Sequence, residues 1–529
     1  MSVPEPTPLA EDANIGFNAQ GAGRRWRGAV VLLALAGIGL VLLSTAKYGA
    51  GLSTDSVAYL DVARNLASGR GFVFHTGEPL VWWPPLYPML LALIGFATGL
   101  DPAAFVHLVN AALFALVIYL SARLFRTGFR HNTTYSLLGV CAVLLSIPLS
   151  LVYATAWSEC LFIPLVLLFL VSAQRYWDSG SMLSLAVMTF STALACLTRY
   201  IGIVLVPVGV VTIILASGVK FKTRVTRAIL FAALSLAPLG LWLVRNYQLT
   251  GTLAGHRGHG SSITDSVILC AQTTLPWYLF GLISELAVLA WVVVLTVRIL
   301  SSRTAIGRVT SSLKAVLIGD FPAVLFLLTY ATMLLATSST AEYDQIGDRL
   351  LSPVFVPATL VLLKVGSYLF GPAEQRTTAL VSRVPSVLLA LWLCFPLASV
   401  VRTTAGRYRN GAGGLNTMKW RESETVAYAK QMTSTKDDVH VYSNGTDALW
   451  ELARVNASEL PRRWEVNQND LYGHWPTESA SVLVWFNNRR WREYFFSVEE
   501  LEEIANVEEV AYLSDGTIYR VSVRDTAVP

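Results

Sequence analysis

A polar stretch, STDSVAYLDVARNLASGRGF at residues 53–72, carries the side chains that are best suited to chemistry. It holds two carboxylates, Asp55 and Asp61, and two arginines, Arg64 and Arg70. Apolar side chains recur between them at helical spacing, which predicts an amphipathic helix on a membrane surface, with Asp55 at or near its N-terminal cap. A carboxylate there either accepts hydrogen bonds from backbone N–H groups or draws a proton from a bound hydroxyl. The spacing alone leaves both roles open.

A further carboxylate, Glu159, opens a later apolar run within the sequence WSE. A carboxylate that faced lipid there would cost a few kcal/mol. We therefore predict either a functional role for Glu159 beside Asp55 or exposure of Glu159 to water at the membrane interface.

Basic side chains also stand at the ends of apolar runs, at Arg199, Arg245 and Arg349. A guanidinium in such a place can bind a phosphate through charge-assisted hydrogen bonds, or it can extend to lipid headgroups. Arg349 follows Asp348 directly, so a structural ion pair is a third role for it.

The sequence GHRGHG at residues 255–260 places His256, Arg257 and His259 on a glycine-rich loop, with Asp265 nearby. Two histidines and a carboxylate could hold a metal ion, but a loop so rich in glycine offers little preorganisation. We predict no metal site there.

The composition places the chain among polytopic membrane proteins. Of its 529 residues, 54% are hydrophobic and only 14% are charged, which is too little charge to cover the surface of a soluble protein of this length. The five cysteines have neither metal-ligand spacing nor the pattern of a disulfide framework. We predict a disordered cytoplasmic segment at 1–27, followed by a signal-anchor helix.

Eleven apolar runs are long enough to be membrane spans. They lie near 28–46, 104–124, 135–154, 159–174, 182–198, 200–218, 228–244, 276–297, 321–338, 350–368 and 385–402. A twelfth stretch, 84–100, is short and opens with two prolines. If it does not cross, the basic clusters fall on the cytoplasmic side, so we predict a juxtamembrane or re-entrant helix there. This topology gives a large first outer loop at 47–103 and an outer C-terminus.

The composition changes after the last span, and residues 403–529 predict a small α/β domain outside the membrane. Strands are expected at 437–443 and 480–488, helices at 446–455 and 497–507, and a hairpin around Asp515-Gly516. The glycine-rich segment NGAGGLN, residues 410–416, is predicted to be the linker. The absence of an internal repeat counts weakly against a transporter built from inverted halves.

Several motifs, taken in order, resemble the GT-C superfamily of integral membrane glycosyltransferases. Its closest branch includes the protein O-mannosyltransferases and the aminoarabinose transferases of lipid A. The motifs are the early aspartate of the first loop, a Y-x-x-x-A-x-x-L-x-x-G pattern at Tyr59, Ala63, Leu66 and Gly69, then PPL (84–86), WSE (157–159), LWLVRNYQLTGTL (241–253) and DRLLSP (348–353). The resemblance covers roughly residues 28–402. Many members resembling the O-mannosyltransferases carry an acidic pair in the first loop, whereas Ser56 follows Asp55 here, which argues against a protein mannosyltransferase.

The resemblance implies a sugar transfer from a polyprenyl-phosphate donor to a lipid, glycan or protein acceptor on the outer face of the membrane, with inversion at the sugar. In that reaction Asp55 would be the general base and Glu159 a second catalytic residue. Residues that would bind the donor phosphate are Arg245, Arg349, Arg199 and Arg257. Residues that would bind the acceptor or line the cavity are Tyr59, Asp61, His75, Glu78 and His256. Asp61 lies nearly opposite Asp55 on a helix, so the two are not expected to share a pocket.

No nucleic-acid partner is expected, and the setting would be a bacterial inner membrane with a periplasmic active face. Some GT-C enzymes use a divalent cation and others do not, and the sequence does not decide between them. The alternative function is a transporter or flippase for a lipid-linked sugar. A transporter would be expected to bury ionisable residues at the middle of the membrane, whereas the charges here gather at the outer ends of the spans.

Overall fold

The structure is a computed structural model. It describes residues 9–129, 132–255, 260, 262–279, 303–340, 346–370, 384–435, 439–463, 466, 471, 474–478, 481–487, 492 and 494–524.

The contacts within the chain divide it into two compact units. The first, here called the helical unit, comprises Met1–Ser44, Leu80–Leu90 and Phe105–Gly406. The second, here called the α/β unit, comprises Thr45–Pro79, Leu91–Ala104 and Arg407–Pro529. Most of the first loop, predicted at 47–103 as part of the membrane domain, therefore groups with the C-terminal residues.

The helical unit consists of helices joined by short connections. Its α-helices are Leu9–Thr45, Pro102–Gly128, Thr133–Leu144, Ile147–Ala154, Glu159–Ser179, Met182–Thr198, Leu205–Leu215, Phe221–Thr250, Ile263–Thr274, Arg303–Gly319, Phe321–Thr340, Asp348–Leu351, Phe355–Phe370, Val384–Trp392 and Cys394–Asn410, the last of which continues into the α/β unit. Short 3₁₀ helices lie at Tyr200–Val204, Leu275–Trp277 and Ser352–Val354. The first helix begins at Leu9, within the segment 1–27 that is predicted to be disordered.

Seven of the described helices are long and apolar enough to cross a membrane, and the bent pair Thr133–Leu144 and Ile147–Ala154 makes an eighth if it is one span. Two further predicted spans form shorter apolar helices, Met182–Thr198 and the segment Tyr200–Leu215. Most of the predicted span 276–297 lies outside the described residues. The chain is a multi-pass membrane protein.

The stretch at 84–100 forms the helix Leu86–Thr98. Its 13 residues extend about 20 Å at 1.5 Å per residue, whereas the hydrocarbon core of a bilayer is about 30 Å thick. The assignment of a juxtamembrane or re-entrant helix stays a prediction.

Helix Glu159–Ser179 lies in the core of the helical unit. Its residues Phe162, Val166 and Phe169 are fully buried, and they belong to the same apolar cluster as Phe326 and Leu360 of two other helices. The central position of this helix fixes the location of Glu159, its first residue.

The α/β unit contains two sheets. A small one pairs β1 (Gly411–Gly413) with β2 (Asn416–Thr417). The larger one consists of β3 (His440–Ser443), β4 (Ser458–Glu459), β5 (Ser481–Phe486), β6 (Ala505–Leu513) and β7 (Gly516–Val523), in the order β4-β3-β5-β7-β6. Strands β4, β3 and β5 run parallel, and β5, β7 and β6 run antiparallel. Its helices are Thr54–Ala67, Met418–Arg421, Glu424–Thr435, Thr446–Ala453 and Val498–Ile504.

The predicted strands, helices and hairpin of the C-terminal domain are confirmed, with ends shifted by a few residues. The predicted glycine linker is wrong. Residues 411–417 form the small sheet, and Leu52 bridges to Gly414. A Cβ atom at Gly414, where φ is +57°, would overlap the carbonyl oxygen of Leu52. Glycine is required here for close packing rather than for flexibility.

Candidate functional site

The helix that carries Asp55 begins two residues earlier than a cap at Asp55 would require. Ser53 is the N-cap of helix Thr54–Ala67, and its hydroxyl accepts a hydrogen bond from the backbone N–H of Ser56, while the Ser56 hydroxyl accepts one from the backbone N–H of Ser53. This reciprocal capping box satisfies two of the free backbone N–H groups at the helix end. The N-cap position considered for Asp55 is therefore occupied by Ser53. Asp55 itself lies in the first turn and is half-buried.

Asp61 lies in the middle of the same helix and is almost fully buried. One of its oxygens, Oδ2, accepts a hydrogen bond from the backbone N–H of His75 (2.7 Å) and lies 2.9 Å from Nδ1 of the His75 ring. The other oxygen accepts a hydrogen bond from the indole N–H of Trp450 (3.0 Å), and the His75 ring stacks on Trp450 with 3.7 Å between centroids. Asp61 therefore holds the segment that follows the helix, and Asp61 and His75 form one polar cluster.

The last turn of helix Thr54–Ala67 carries Arg64, which binds two carboxylates. Its guanidinium donates two hydrogen bonds to Asp101, at 2.7 and 3.0 Å, and two to Glu451, at 2.7 and 3.0 Å. Burial alone would lower the pKa of Arg64, but both carboxylates raise it above its ordinary value. Burial alone would raise the pKa of Asp101, but Arg64 lowers it. Tyr59, on the same helix, is fully buried.

Of the remaining predicted acceptor residues, Glu78 is described by the structure. Glu78 is exposed in the turn that follows His75, where its carbonyl oxygen accepts a hydrogen bond from the N–H of Phe74. His256 and Arg257 lie outside the described residues, as does His259. Within the part of the chain that the structure describes, no group of three His, Cys, Asp or Glu side chains could hold a metal ion.

In the helical unit, Glu159 binds two of the predicted phosphate-binding arginines. Its side chain is only 1% exposed, and one oxygen, Oε1, lies 2.6 Å from Nη1 of Arg199 and 2.6 Å from Nε of Arg349. Arg199 also donates a hydrogen bond to the hydroxyl of Ser158 (3.0 Å). The position of Glu159 at a helix N-terminus favours its negative charge. Glu159 is thus neither exposed to water nor facing lipid.

The surroundings of this cluster fix the two guanidiniums. Arg349 lies over the ring of Trp157, 4.8 Å from its centroid. Asp348 accepts a hydrogen bond from the indole N–H of Trp277 (2.7 Å), so the ion pair considered for Arg349 forms with Glu159. The side chains of Arg199 and Arg349 are 18% and 13% exposed, so part of each side chain remains accessible.

Arg245 belongs to a second network, near the end of helix Phe221–Thr250. It donates hydrogen bonds to the carbonyl of Leu80 (2.6 Å) and to the side chain of Asn246 (3.0 Å), and it lies over the ring of Trp242. The buried Asn246 in turn donates to the carbonyl of Leu253 (2.9 Å). This network ties the segment beginning at Leu80 to the end of the helix.

The two networks of the helical unit meet at adjacent residues. Arg199 binds Glu159, while the neighbouring Tyr200 donates a hydrogen bond to the carbonyl of Val81 (2.9 Å) and accepts one from the indole of Trp242 (3.3 Å). Arg199 lies in the short connection after helix Met182–Thr198. The structure thus brings Arg199 and Arg349 together on Glu159 and connects them to the network of Arg245.

Sequence reasoning missed several residues of these clusters. Tyr200, Asn246 and Trp450 were not singled out, although the first follows Arg199 and the second follows Arg245. The buried pair of Asp447 and Arg492, described below, was also missed. Their partners are distant in sequence, so no local spacing could have revealed them.

Comparison with known proteins identifies the fold. No family model matches the sequence, and no curated protein matches it. ArnT from Cupriavidus metallidurans in the apo state has a similar structure, with a TM-score of 0.57 and 13% identity over 93% of this chain and 98% of that one. The archaeal oligosaccharyltransferase AglB from Archaeoglobus fulgidus, in complex with an inhibitory peptide and a dolichol-phosphate, gives a TM-score of 0.56 and 10% identity over 87% of this chain and 69% of that one. The chain has the GT-C fold.

The GT-C fold extends over nearly the whole chain. ArnT from Cupriavidus metallidurans bound to undecaprenyl phosphate matches this chain with a TM-score of 0.54 and 14% identity, again over 93% of this chain and 98% of that one. The fold predicted from the order of motifs is confirmed. At this identity the comparison establishes the GT-C architecture, and the chemistry has to be argued from the residues.

Proposed function

We propose that the chain is a glycosyltransferase that moves a sugar from a polyprenyl-phosphate donor to an acceptor on the outer face of the membrane. One observation carries the proposal: the chain shares the GT-C fold over 93% of its length with a protein whose structure contains undecaprenyl phosphate. This is an analogy of fold, and the residues of both units support it.

Asp55 is the proposed general base. The acceptor hydroxyl attacks the anomeric carbon of the sugar, its proton passes to the carboxylate of Asp55, and the bond from the sugar to the lipid phosphate breaks, so that the phosphate leaves with the bonding electrons. A single displacement inverts the anomeric carbon. The position of Asp55 in the first turn supports this role, because the capping box of Ser53 and Ser56 fixes the helix end that carries the Asp55 carboxylate.

The arginines on Glu159 are the proposed site of the donor phosphate. Negative charge builds on that phosphate as the bond breaks, and fixed guanidiniums stabilise it. Two features support the assignment: Arg199 and Arg349 share one carboxylate oxygen, and both are partly accessible. Glu159 then positions the arginines and takes no proton, which changes the role first predicted for it.

The arrangement of buried polar groups favours an enzyme over a transporter. The Glu159 cluster lies at one end of helix Glu159–Ser179, and Gln174, which donates to the carbonyl of Gly319 (2.9 Å), lies 15 residues further on, which is about 22 Å along a helix. A transporter would be expected to place its ionisable groups between these ends, at the middle of the membrane. In the described part of this helix the residues 160–171 are uncharged.

The proposed setting is the inner membrane of a bacterium. Basic clusters such as Arg123 and Arg126 near the end of helix Pro102–Gly128 place that end on the cytoplasmic side by the positive-inside rule. The N-terminus is then cytoplasmic and the α/β unit extracytoplasmic, where a lipid, glycan or protein acceptor would be met. The sugar and the acceptor are to be identified by assay.

The test is sugar transfer by the purified full chain, supplied with a panel of undecaprenyl-phosphate sugars and of lipid and glycan acceptors. The wild type is compared with Asp55→Asn, which keeps the shape of the side chain but accepts a proton poorly. We expect the wild type to transfer at least one sugar and Asp55→Asn to lose about a hundredfold or more in rate, because general bases contribute about 10²–10⁴-fold.

Glu508→Gln is the matched control, since Glu508 is an exposed carboxylate of the α/β unit, paired with Arg520. It should transfer at the wild-type rate. Equal rates for the wild type and a folded Asp55→Asn would refute the assignment of the base. Binding of undecaprenyl phosphate without any transfer would favour the flippase.

A further inference from the structure

The helix that carries Asp55 is held along one face by the helix Thr446–Ala453 of the C-terminal residues. Three positions of the first helix make the contacts, at its beginning, middle and end: Thr54 contacts Asp447, Asp61 contacts Trp450, and Arg64 contacts Glu451. Residues 447, 450 and 451 follow the i, i+3, i+4 spacing of one helical face. Residues 54, 61 and 64 lie within about 80° of each other around their own helix, at 100° per residue.

The contact in the first turn is the most completely built. The Thr54 hydroxyl donates a hydrogen bond to Oδ2 of Asp447 (2.9 Å) and accepts one from Nη2 of Arg492 (3.2 Å). Arg492 forms an ion pair with Oδ1 of the same carboxylate (3.1 Å) and donates to the carbonyl of Asn444 (2.9 Å). The side chains of Asp447 and Arg492 are 7% and 2% exposed. A single hydroxyl is thus fixed as both donor and acceptor by a buried ion pair.

The buried pair lies at the carboxyl ends of the parallel strands β3 and β5. Asn444 follows β3 directly, and its side chain exchanges two hydrogen bonds with the backbone of Phe486 at the end of the parallel strand β5, at 3.0 and 2.8 Å. The carboxyl ends of parallel strands are where α/β folds commonly build binding sites. In this unit that edge holds Thr54, through Asp447 and Arg492.

Asp55 lies on a different face of its helix from these contacts. It is one residue from Thr54, which is a turn of 100° and a rise of about 1.5 Å. Asp55 shares its face with Tyr59, four residues on. Fixing the Thr54 hydroxyl therefore fixes the backbone that carries Asp55, which stands on another face of the helix.

We propose that Thr54, Asp447 and Arg492 are positioning residues for Asp55, so that the C-terminal residues set the geometry of the base. This inference rests on the proposed function. It gives the α/β unit a part in catalysis. A displacement of about 1 Å in a reacting group costs on the order of a hundredfold in rate, so a lost hydrogen bond here should affect turnover without weakening the binding of the donor.

Thr54→Val and Thr54→Ser form the decisive pair of variants. Valine has the shape of threonine without the hydroxyl, and serine keeps the hydroxyl. Substitution of Asp447 or Arg492 is less informative, because it would leave a buried charge without its partner and could unfold the unit. We expect Thr54→Val to lose about ten- to hundredfold in kcat, with the KM for the undecaprenyl-phosphate sugar within about twofold of wild type, and Thr54→Ser to retain wild-type kcat within about threefold.

Hydrogen exchange of the backbone of residues 54–58 is measured on the same proteins, and it does not depend on activity. Faster exchange there in Thr54→Val, but not in Thr54→Ser, is expected even if no sugar of the panel is transferred, which separates this inference from the proposed function. Glu500→Gln, which removes the ion pair with Arg463, is the control and should change neither the hydrogen exchange of residues 54–58 nor kcat. Unchanged exchange in Thr54→Val would overturn the proposal. Unchanged kcat in an active preparation would also overturn it, and so would a rise in KM with kcat unaffected.

Discussion

At the scale of single residues, the cluster of Glu159, Arg199 and Arg349 is the most informative. Two guanidiniums share one carboxylate oxygen, each at 2.6 Å, in a place where Glu159 is buried and both arginines retain some exposure. A carboxylate that binds two arginines orients both, and a second anion that arrives at the exposed side meets groups that are already fixed. That is the arrangement expected of a site that stabilises charge developing on a phosphate.

Replacement of Arg349 should weaken donor binding. We expect Arg349→Gln to raise the Kd for undecaprenyl phosphate by about ten- to hundredfold, because a hydrogen bond to a charged group contributes about 1.5–3 kcal/mol. The measurement is a binding titration with the full chain in nanodiscs at fixed ionic strength. Arg227→Gln serves as the control, since Arg227 contacts the hydroxyl of Tyr176 (3.3 Å) near the C-terminal end of helix Glu159–Ser179. A folded Arg349→Gln that binds like the wild type would exclude Arg349 from the phosphate site.

The residues of this cluster could be selected from the sequence, but their pairing could not. Glu159, Arg199 and Arg349 stood out because charges are costly beside apolar runs. Their partners, however, lie 40 to 190 residues away, so the sequence left Glu159 with two other roles. Asp348, the acidic neighbour of Arg349, binds Trp277 instead. Adjacency in sequence was a poor guide, because successive side chains of a helix point in different directions.

At the scale of elements, the chain uses the same capping box twice within the α/β unit. Ser53 and Ser56 close helix Thr54–Ala67, and Ser497 and Glu500 close helix Val498–Ile504. Each box satisfies two backbone N–H groups that the helix itself cannot bond. Only the first of these helices carries a proposed catalytic residue, so the two boxes separate an effect on stability from an effect on activity.

Removal of each cap should therefore have different consequences. Ser53→Ala and Ser497→Ala should each lower the free energy of unfolding by about 0.5–2 kcal/mol, because alanine cannot accept the capping hydrogen bond. Ser53→Ala should in addition lower kcat at a temperature where the protein remains folded, while Ser497→Ala should not. Thermal unfolding and sugar transfer are measured on the same preparations. Equal loss of activity in the two variants would attribute it to stability alone.

At the scale of the whole molecule, the elements of the fold could be predicted from the sequence, whereas the division of the chain into two units could not. Alternation of apolar and polar residues predicted the strands β3 and β5 and the hairpin at Asp515 within a few residues, because these periodicities are local. The glycines at 411–414 were read as a linker, because nothing local shows that Leu52, some 360 residues earlier, packs against them. The same distance hid the contacts between the first loop and the C-terminal residues, on which the division into units depends.

The helical unit has a second buried ion pair at the opposite end from Glu159. Lys364 binds Asp320, both side chains are less than 10% exposed, and Gly128 and Gly319 pack beside them. Lys364 lies 15 residues after Arg349, which is about 22 Å along a helix. On the proposed topology this is the cytoplasmic end, far from any donor phosphate. We therefore assign stability to this pair and function to the cluster of Glu159, Arg199 and Arg349.

That assignment predicts that removing both charges of the Lys364–Asp320 pair restores what removing one of them loses, whereas the same kind of double substitution in the Glu159 cluster does not restore donor binding. Lys364→Met alone should cost about 3–5 kcal/mol, because it leaves Asp320 buried without its partner, while Lys364→Met combined with Asp320→Val should recover most of that loss. Thermal unfolding in detergent measures the stability, and undecaprenyl phosphate binding should stay at the wild-type affinity in the double variant.

At the other end, combining Arg349→Gln with Glu159→Gln removes an ion pair in the same way, but it should not restore binding, because the donor still lacks the guanidinium. Recovery of binding there would mean that both pairs serve only to hold the helices together.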